Sequence, residues 1–197
     1  MSRIRPATLH DLPGAYRVCL LTGDSGRDAT ALYRNPDLPG HVFVGPYIVQ
    51  PAPAALVVAD EQGVAGYVVA AADTRSFEAW AEDNWWPALR TQYPAGAGDT
   101  RDDWIIRLIH DPPRTPDDIV AAYPAHLHIN LLERVRGQGL GRALIERLLA
   151  VLEERGSRGI HLEVSTDNEQ AVAFYGRVGF MELERSPRSL IMGRSLG

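Results

Sequence analysis

The sequence predicts an α/β (α+β) fold on a central mixed sheet, and three observations carry that prediction. Apolar, β-branched runs alternate with amphipathic stretches at helical spacing along the chain. From Ala125 onward the alternation is sharp: strand, glycine-rich turn, helix, strand, helix, strand. The composition, 45% apolar and 23% charged over 197 residues, is that of an ordinary globular chain long enough to bury a core. One domain over residues 1–197 is therefore expected.

The elements follow in order. "RIRPATLHDLPGAYRVCLLTG" reads as a short strand, a turn at His10 and Asp11, and a helix closed by Gly23. "DSGRDATALYRNPDLPG" reads as a second helix ending before Pro36, and the apolar run "HVFVGPYIV" as the first part of the sheet. "AALVVADEQGVAGYVVAAA" is a hairpin that turns at Glu61 to Gly63. Residues 74–123 differ from the rest, holding all four tryptophans and many acidic residues. They read as an insertion, with "SFEAWAEDNWWPAL" helical, "DDWIIRLIH" a strand, and "TPDDIVAAY" a short helix capped by Thr115 or Asp117. Then come strand "HLHINLL", helix Leu140 to Arg155, strand "GIHLEVS", helix Asn168 to Val178, and strands "FMELE" and "SLIMGRSL". Thr166 or Asp167 with Glu169 or Gln170 forms a capping box, and Gly179 with Phe180 a helix C-cap.

Charge and cysteine use narrow the function classes. A net charge of −5 argues against a general nucleic-acid binder. All twenty basic residues are arginine, so any chemistry on a lysine amine draws its substrate from another molecule. The single Cys19 cannot close an internal disulfide, and "MSRIRPATLH" lacks a signal peptide's apolar run; a reducing cytoplasm is the expected compartment. No apolar stretch reaches membrane-spanning length, so no membrane partner is expected.

"RVRGQGLGRALIERLL" sets Gly137, Gly139 and Gly141 at every second position where a helix begins. Glycine is the costliest helix residue after proline, so the backbone there must approach something closely. A Walker turn needs a lysine that the chain lacks, and the third glycine of a dinucleotide fingerprint is replaced by Leu144. What survives is the physical core of both patterns, unpaired amides and a positive helix end aimed at one spot, which suits a phosphate. Arg136 and Arg142 flank that spot. The structural alternative is a tight strand-to-helix turn with solvated arginines.

Arg136 to Gly141, "RGQGLG", resembles the acetyl-CoA pyrophosphate turn of the GNAT N-acetyltransferase superfamily, and "LEVSTDNEQAVAFYGRVGF" resembles its second signature. The resemblance is weak over residues 1–22 and strong over 126–180. Glu133 departs from the proline that often stands three residues before the family's arginine. The resemblance implies a mostly antiparallel sheet of about seven strands flanked by helices, with the insertion between the third and fourth strands. It also implies acetyl-CoA as co-substrate. Backbone from Ile129, Asn130, Leu131 and Leu132 would meet the pantetheine arm. Amides of Gly137, Gln138, Gly139, Leu140, Gly141 and Arg142 would hold the pyrophosphate, while Asn168, Ala171, Phe174 and Tyr175 would lie on the pantetheine's far side. Within the superfamily, "DLPGHVFVGPYIV", "GVAGYVVAAAD" and "GRSL" resemble the acetyltransferase-like region of animal O-GlcNAcase and its free-standing bacterial relatives.

Acetyl transfer to an amine needs a neutral nucleophile, yet an ammonium of pKa about 10.4 is neutral in roughly one molecule in a thousand at pH 7. A base is required, and an acid for the leaving thiolate. By resemblance Tyr175 is the acid and Glu163 the base; read alone, they are a core tyrosine with a polar tip and an exposed strand carboxylate. His126, His128 and Asn130 share one strand face, so His128 is a further base candidate beside its reading as a satisfied strand histidine. No metal is expected, since the two strand histidines lack a third ligand nearby. Trp80, Trp85, Trp86 and Trp104, with Asp99, Asp102 and Asp103, either wall an acceptor site or pack the insertion onto the sheet. The acceptor is a small-molecule amine or a protein or peptide amine. A catalytically inactive acetyl-CoA-binding or interaction module, a nucleotide-binding domain and a homodimer all stay open.

Overall fold

The computed structural model describes residues 2–197. Its sheet takes the order β1 (Arg3–Pro6), β2 (Ala54–Asp60), β3 (Gly63–Ala71), β4 (Ala125–Leu131), β5 (Gly159–Ser165), β7 (Ser189–Ser195) and β6 (Met181–Arg185). Every neighbouring pair is antiparallel except β4 and β5. The β2–β3 hairpin closes where Asp60 accepts from the Gln62 amide and Gly63 takes φ +103°. This is the mixed, mostly antiparallel sheet of about seven strands that the family resemblance implies.

Helices cover both faces. α8 (Leu140–Glu154) buries Leu144, Ile145, Leu148, Leu149 and Leu152, and with α9 (Glu169–Arg177) it packs on Val58, Val68, Leu127, Ile160 and Leu162. Burying five such side chains contributes roughly 1.5–3 kcal/mol each, well above the ~1 kcal/mol that a helix-start glycine loses. On the other face, α1 (Leu12–Leu20) and α3 (Gly45–Val49) pack on Val57, Tyr67 and Val69. A third cluster joins α2 (Leu38–Phe43) to three of the helices between β3 and β4, α4 (Thr74–Asn84), α5 (Trp86–Gln92) and α6 (Arg101–His110), while the fourth, α7 (Asp117–Ala122), lies beside β5.

Five local expectations are corrected. Residues 24–35 form no regular helix beyond a single 3-10 turn at Thr30–Leu32, because Ser25 and Gly26 are left-handed and Asp28 folds back onto the Thr30 amide. "HVFVGPYIV" is not a strand: Pro39 and Pro46 sit in the first turns of α2 and α3, a position proline favours. Gly40 and Gly45 admit Tyr16 and Trp85, whose atoms would lie 2.3 Å and 2.6 Å from an added Cβ. "DDWIIRLIH" is helix α6, capped by Thr100 and Asp103, and its fully buried Ile105 and Ile109 are one helical turn apart against Leu38 and Trp86. At α7 the N-cap is Pro116, and Asp117 instead pairs with Arg75. At α9 neither Thr166 nor Asp167 caps; Asn168 does, accepting from the Ala171 amide at 3.1 Å. Gly179 is left-handed, with the Phe180 amide returning to the Tyr175 carbonyl, as the C-cap reading requires.

The amino end is pinned by a buried carboxylate. Asp11, 6% exposed, takes two 2.6 Å bonds from Arg5 and a third from the Thr8 amide. Chiefly the Arg5 hydrogen bonds, opposed by burial, lower its pKa to about 2. A folded-state pKa below the unfolded value gives stability that is full above about pH 4 and lost as pH falls through 2, roughly 2 kcal/mol in all. Urea denaturation of wild type and Asp11→Asn should show a stability gap that narrows by most of that amount between pH 5 and pH 2.5. A gap independent of pH would contradict the assignment.

Candidate active site

β4 and β5 pair at only two positions, Ala125 with Ile160 and His126 with His161. Beyond them the strands part, although β3 follows β4 to Leu131 and β7 follows β5 to Ser165. The inner edges from Leu127 and from Leu162 onward therefore face each other without a ladder. Backbone groups left open in mid-sheet call for a partner, and an extended chain with its own amides can supply one. The gap opens at the carboxyl ends of two parallel strands, where ligands of such sheets bind.

At that end stands the glycine turn. Gly137 (φ +74°) and Gly139 (φ +76°) are left-handed, and a Cβ on either would meet nothing within 4 Å. The amides of residues 137–142 have no hydrogen-bond partner among the described residues, and they run from the turn into the first three residues of the fifteen-residue α8. Open amides at a helix N-terminus suit a phosphate. Gly141 differs: a Cβ there would stand 3.4–3.5 Å from the Phe174 ring and Leu131, an ordinary contact, so the packing of α8 against α9 and β4 leaves room for one. Leu140 is half-buried against the α8 core.

The flanking side chains are already engaged. Arg136 donates to the Leu131 carbonyl (2.8 Å) and, across the chain, to the Gly26 carbonyl (2.9 Å). Arg142 donates to the Arg177 carbonyl at 3.1 Å and lies 3.6 Å from Glu146. Gln138 bonds to the Arg134 carbonyl. A Cβ on Gly26 would stand 3.8 Å from Arg136 and 3.9 Å from the Asn168 amide nitrogen, so the loop after α1 meets the turn and the start of α9 at the gap's mouth.

The two sides of the gap differ in chemistry. Towards α8 and α9 lie Ile129, Leu131, Ala171, Phe174 and Tyr175, all in or against the main core. Tyr175 is 8% exposed, with ring centroids 5.4 Å from Phe174 and 5.8 Å from Phe180. Burial holds its phenol well above its ordinary pKa, so it is protonated at neutral pH. The opposite side carries His126, His128 and Asn130 of β4, with His161 and the exposed Glu163 on β5. Asn130 donates to Thr22, and Leu132 is buried in the core beneath α1.

Tyr47 of α3 joins the strand histidines. Its hydroxyl lies 2.8 Å from His126 Nε2 and 3.1 Å from His128 Nε2, while its ring stacks on Phe77 at 4.4 Å. His126 Nδ1 lies 2.8 Å from the Thr74 hydroxyl, which donates to the Pro124 carbonyl. Burial first, then neighbouring imidazoles, push His126 well below its ordinary pKa; burial and His161 take His128 to about 4. Both are neutral at pH 7. The Phe43 ring rests 5.6 Å from His128 and 6.2 Å from Trp104, the one tryptophan that is 37% exposed. Trp80, Trp85 and Trp86 pack the insertion instead, Asp102 accepts from the Arg34 and Asn35 amides, and Asp103 caps α6. Asp99 is exposed, and no group able to hold a metal occurs among the described residues.

Sequence reasoning missed Tyr47, Phe43 and Gly26, which lie in segments read with the wrong geometry, and Thr74, which starts a helix read as one but whose contact with His126 has no local signal. His161 was missed as well, although a signal for it was present: it alternates with Leu162 on the same strand as Glu163.

Known proteins resemble this chain in sequence and in fold. The model of the acetyltransferase (GNAT) family matches residues 24–180. Protein O-GlcNAcase of Rattus norvegicus is 27% identical over 201 residues, covering 98% of this chain and 22% of the relative. The chain thus spans about a fifth of that relative's length. The crystal structure of SsHAT superposes with a TM-score of 0.92 at 37% identity, covering 98% of both chains. [Ribosomal protein bS18]-alanine N-acetyltransferase of Escherichia coli K12 is 51% identical over 45 residues, 23% of this chain and 30% of its own.

The two kinds of glycine separate by mutation. Gly139→Ala forces an alanine into the left-handed region and should lower stability by about 1–2 kcal/mol in urea denaturation. Gly141→Ala meets only ordinary contact inside a helix and should be neutral or stabilising by up to ~1 kcal/mol. Equal losses at both would contradict the division of roles.

Proposed function

Because the chain belongs to the acetyltransferase (GNAT) family, we propose that it transfers the acetyl group of acetyl-CoA to an amine by direct attack in a ternary complex. Members of this enzyme family use acetyl-CoA as co-substrate. The observation that carries the reading is the unpaired gap between β4 and β5, with the open amides of residues 137–142 at its mouth and the protonated Tyr175 beside it. The turn fits a pyrophosphate, and the β4 edge from Ile129 to Leu131, with Leu132 behind it, fits the amides of a pantetheine arm. Asn168, Ala171 and Phe174 bound its far side. Arg136 shapes the site more than it binds: both its bonds tie backbone segments together at the mouth.

The protein's tasks are then to align and to move protons. Acetyl-CoA would supply an activated thioester; Tyr175 donates a hydrogen bond and a proton to the departing sulfur and regains a proton from solvent before the next turnover. Glu163 and His128 face the same side of the sheet from the two strands that flank the gap. The exposed Glu163 carboxylate attracts a cationic amine and relays its first proton to solvent. The acceptor approaches past Phe43 and the exposed Trp104. The absence of lysine in this chain leaves any protein lysine to come from a partner. The E. coli relative's name gives an alanine of a ribosomal protein as its acceptor; by that analogy a peptide amine is one class to test here beside small amines. The buried, unpaired Cys19 suits a reducing cytoplasm, and no helix is long and apolar enough to cross a membrane among the described residues.

Amine-dependent release of free thiol from acetyl-CoA, measured over a panel of small amines, amino sugars and peptides, tests the reading. Wild type should turn over at least one class, with Tyr175→Phe losing about 100-fold in kcat while acetyl-CoA affinity holds. Normal rates in the variant would remove Tyr175 as the acid. Tight acetyl-CoA binding without amine-dependent release would establish an inactive binding module instead.

A further inference from the structure

The buried contacts around Tyr47 have only one consistent arrangement of hydrogens. The Pro124 carbonyl can only accept, so the Thr74 hydroxyl proton points to it at 2.7 Å. Thr74 then has only a lone pair for His126, which must donate from Nδ1. His126 Nε2 is left as an acceptor, and the single Tyr47 hydroxyl proton, 2.8 Å away, satisfies it. Tyr47 has a lone pair remaining, so His128 Nε2 carries the proton it shares at 3.1 Å. His128 Nδ1 is thereby a bare acceptor, with no partner among the described residues, on a ring whose neighbour Phe43, 5.6 Å away, in turn meets the exposed Trp104.

Building on the acetyl-transfer reading above, we propose that Tyr47, backed by His126, Thr74 and the Pro124 carbonyl, is a positioning device that locks His128 as its Nε2–H tautomer and so presents Nδ1 to the acceptor amine. The incoming neutral amine donates an N–H to Nδ1, which turns its lone pair towards the thioester carbon. As the N–C bond forms and the C–S bond breaks, the electron pair leaves with sulfur and the nitrogen sheds that proton to Nδ1. The resulting imidazolium keeps its Nε2–H on the Tyr47 oxygen, and its extra proton passes to solvent. A nitrogen that is acquiring a bond to carbon is far more acidic than a free amine, so a weakly basic imidazole suffices. Being neutral beforehand, it does not repel a cationic substrate. His126 cannot substitute, because both its nitrogens are occupied.

Long-range nitrogen–proton NMR of histidine-labelled, ligand-free protein reads the tautomers directly, with His126 and His128 assigned by their loss in His126→Gln and His128→Gln. The expected result is a proton on Nδ1 of His126 and on Nε2 of His128. Tyr47→Phe should leave His128 a mixture of tautomers and lower kcat about 10-fold with KM for acetyl-CoA unchanged. Thr74→Val, which keeps the shape and removes the anchor, should release the His126 tautomer and serves if Tyr47→Phe folds poorly. A wild-type His128 protonated on Nδ1, or variants that keep both tautomers and kcat, would overturn the proposal. The expected tautomers in a chain that acetylates no amine would leave the hydrogen-bond device standing and remove its role as proton acceptor, together with the acetyl-transfer reading.

Discussion

Two parallel strands that pair over only two residues leave the middle of a seven-stranded sheet open, and most of the molecule is arranged around tolerating that opening. Each unpaired backbone group in such a place forgoes a bond worth ~1 kcal/mol. β4 and β5 stay in strand geometry because each has a full ladder on its outer side, with β3 and β7. The helix α8 anchors β4 through buried leucines, and the Asn168 cap fixes where α9 begins after β5. The gap is thus held at a set width by elements that do not enter it.

The same opening sorts the chemistry to its two sides. Apolar contacts and one protonated phenol lie towards α8 and α9, while imidazoles and a carboxylate lie towards α1 and α3. A thioester in the gap would therefore meet a donor on one side and proton acceptors on the other, which is the polarity that acyl transfer to an amine requires. The insertion adds a third boundary, since its own small core presents Trp104 and supports Phe43 against His128.

Much of this was legible in the sequence wherever local pattern and tertiary role agree. The strand, turn and helix from residue 125 to 155, and the strand and helix from 159 to 180, follow from periodicity, caps and glycines. So does the hairpin at Asp60 to Gly63. The segments at 36–49 and 101–110 were not legible, because distant contacts decide them, and at 24–35 left-handed Ser25 and Gly26 break the helix that the pattern suggested. Apolar "HVFVGPYIV" is helical where Pro39 and Pro46 open two short helices and Gly40 and Gly45 receive Tyr16 and Trp85 from other elements, and α6 is helical where Ile105 and Ile109 find Leu38 and Trp86. Misreading the first of these hid Tyr47, which no spacing rule connects to histidines some eighty residues away. The glycine turn was recognised, but its left-handed positions are Gly137 and Gly139, and Gly141 lies inside α8 with room for a Cβ.

The account depends on the gap being a ligand slot, and amide hydrogen exchange with and without acetyl-CoA measures that directly. Saturating acetyl-CoA should slow exchange at residues 137–142 and along 128–131 while leaving the β1–β2–β3 edge unchanged. Unaltered exchange at the turn and the β4 edge, with protection elsewhere in the chain, would contradict it.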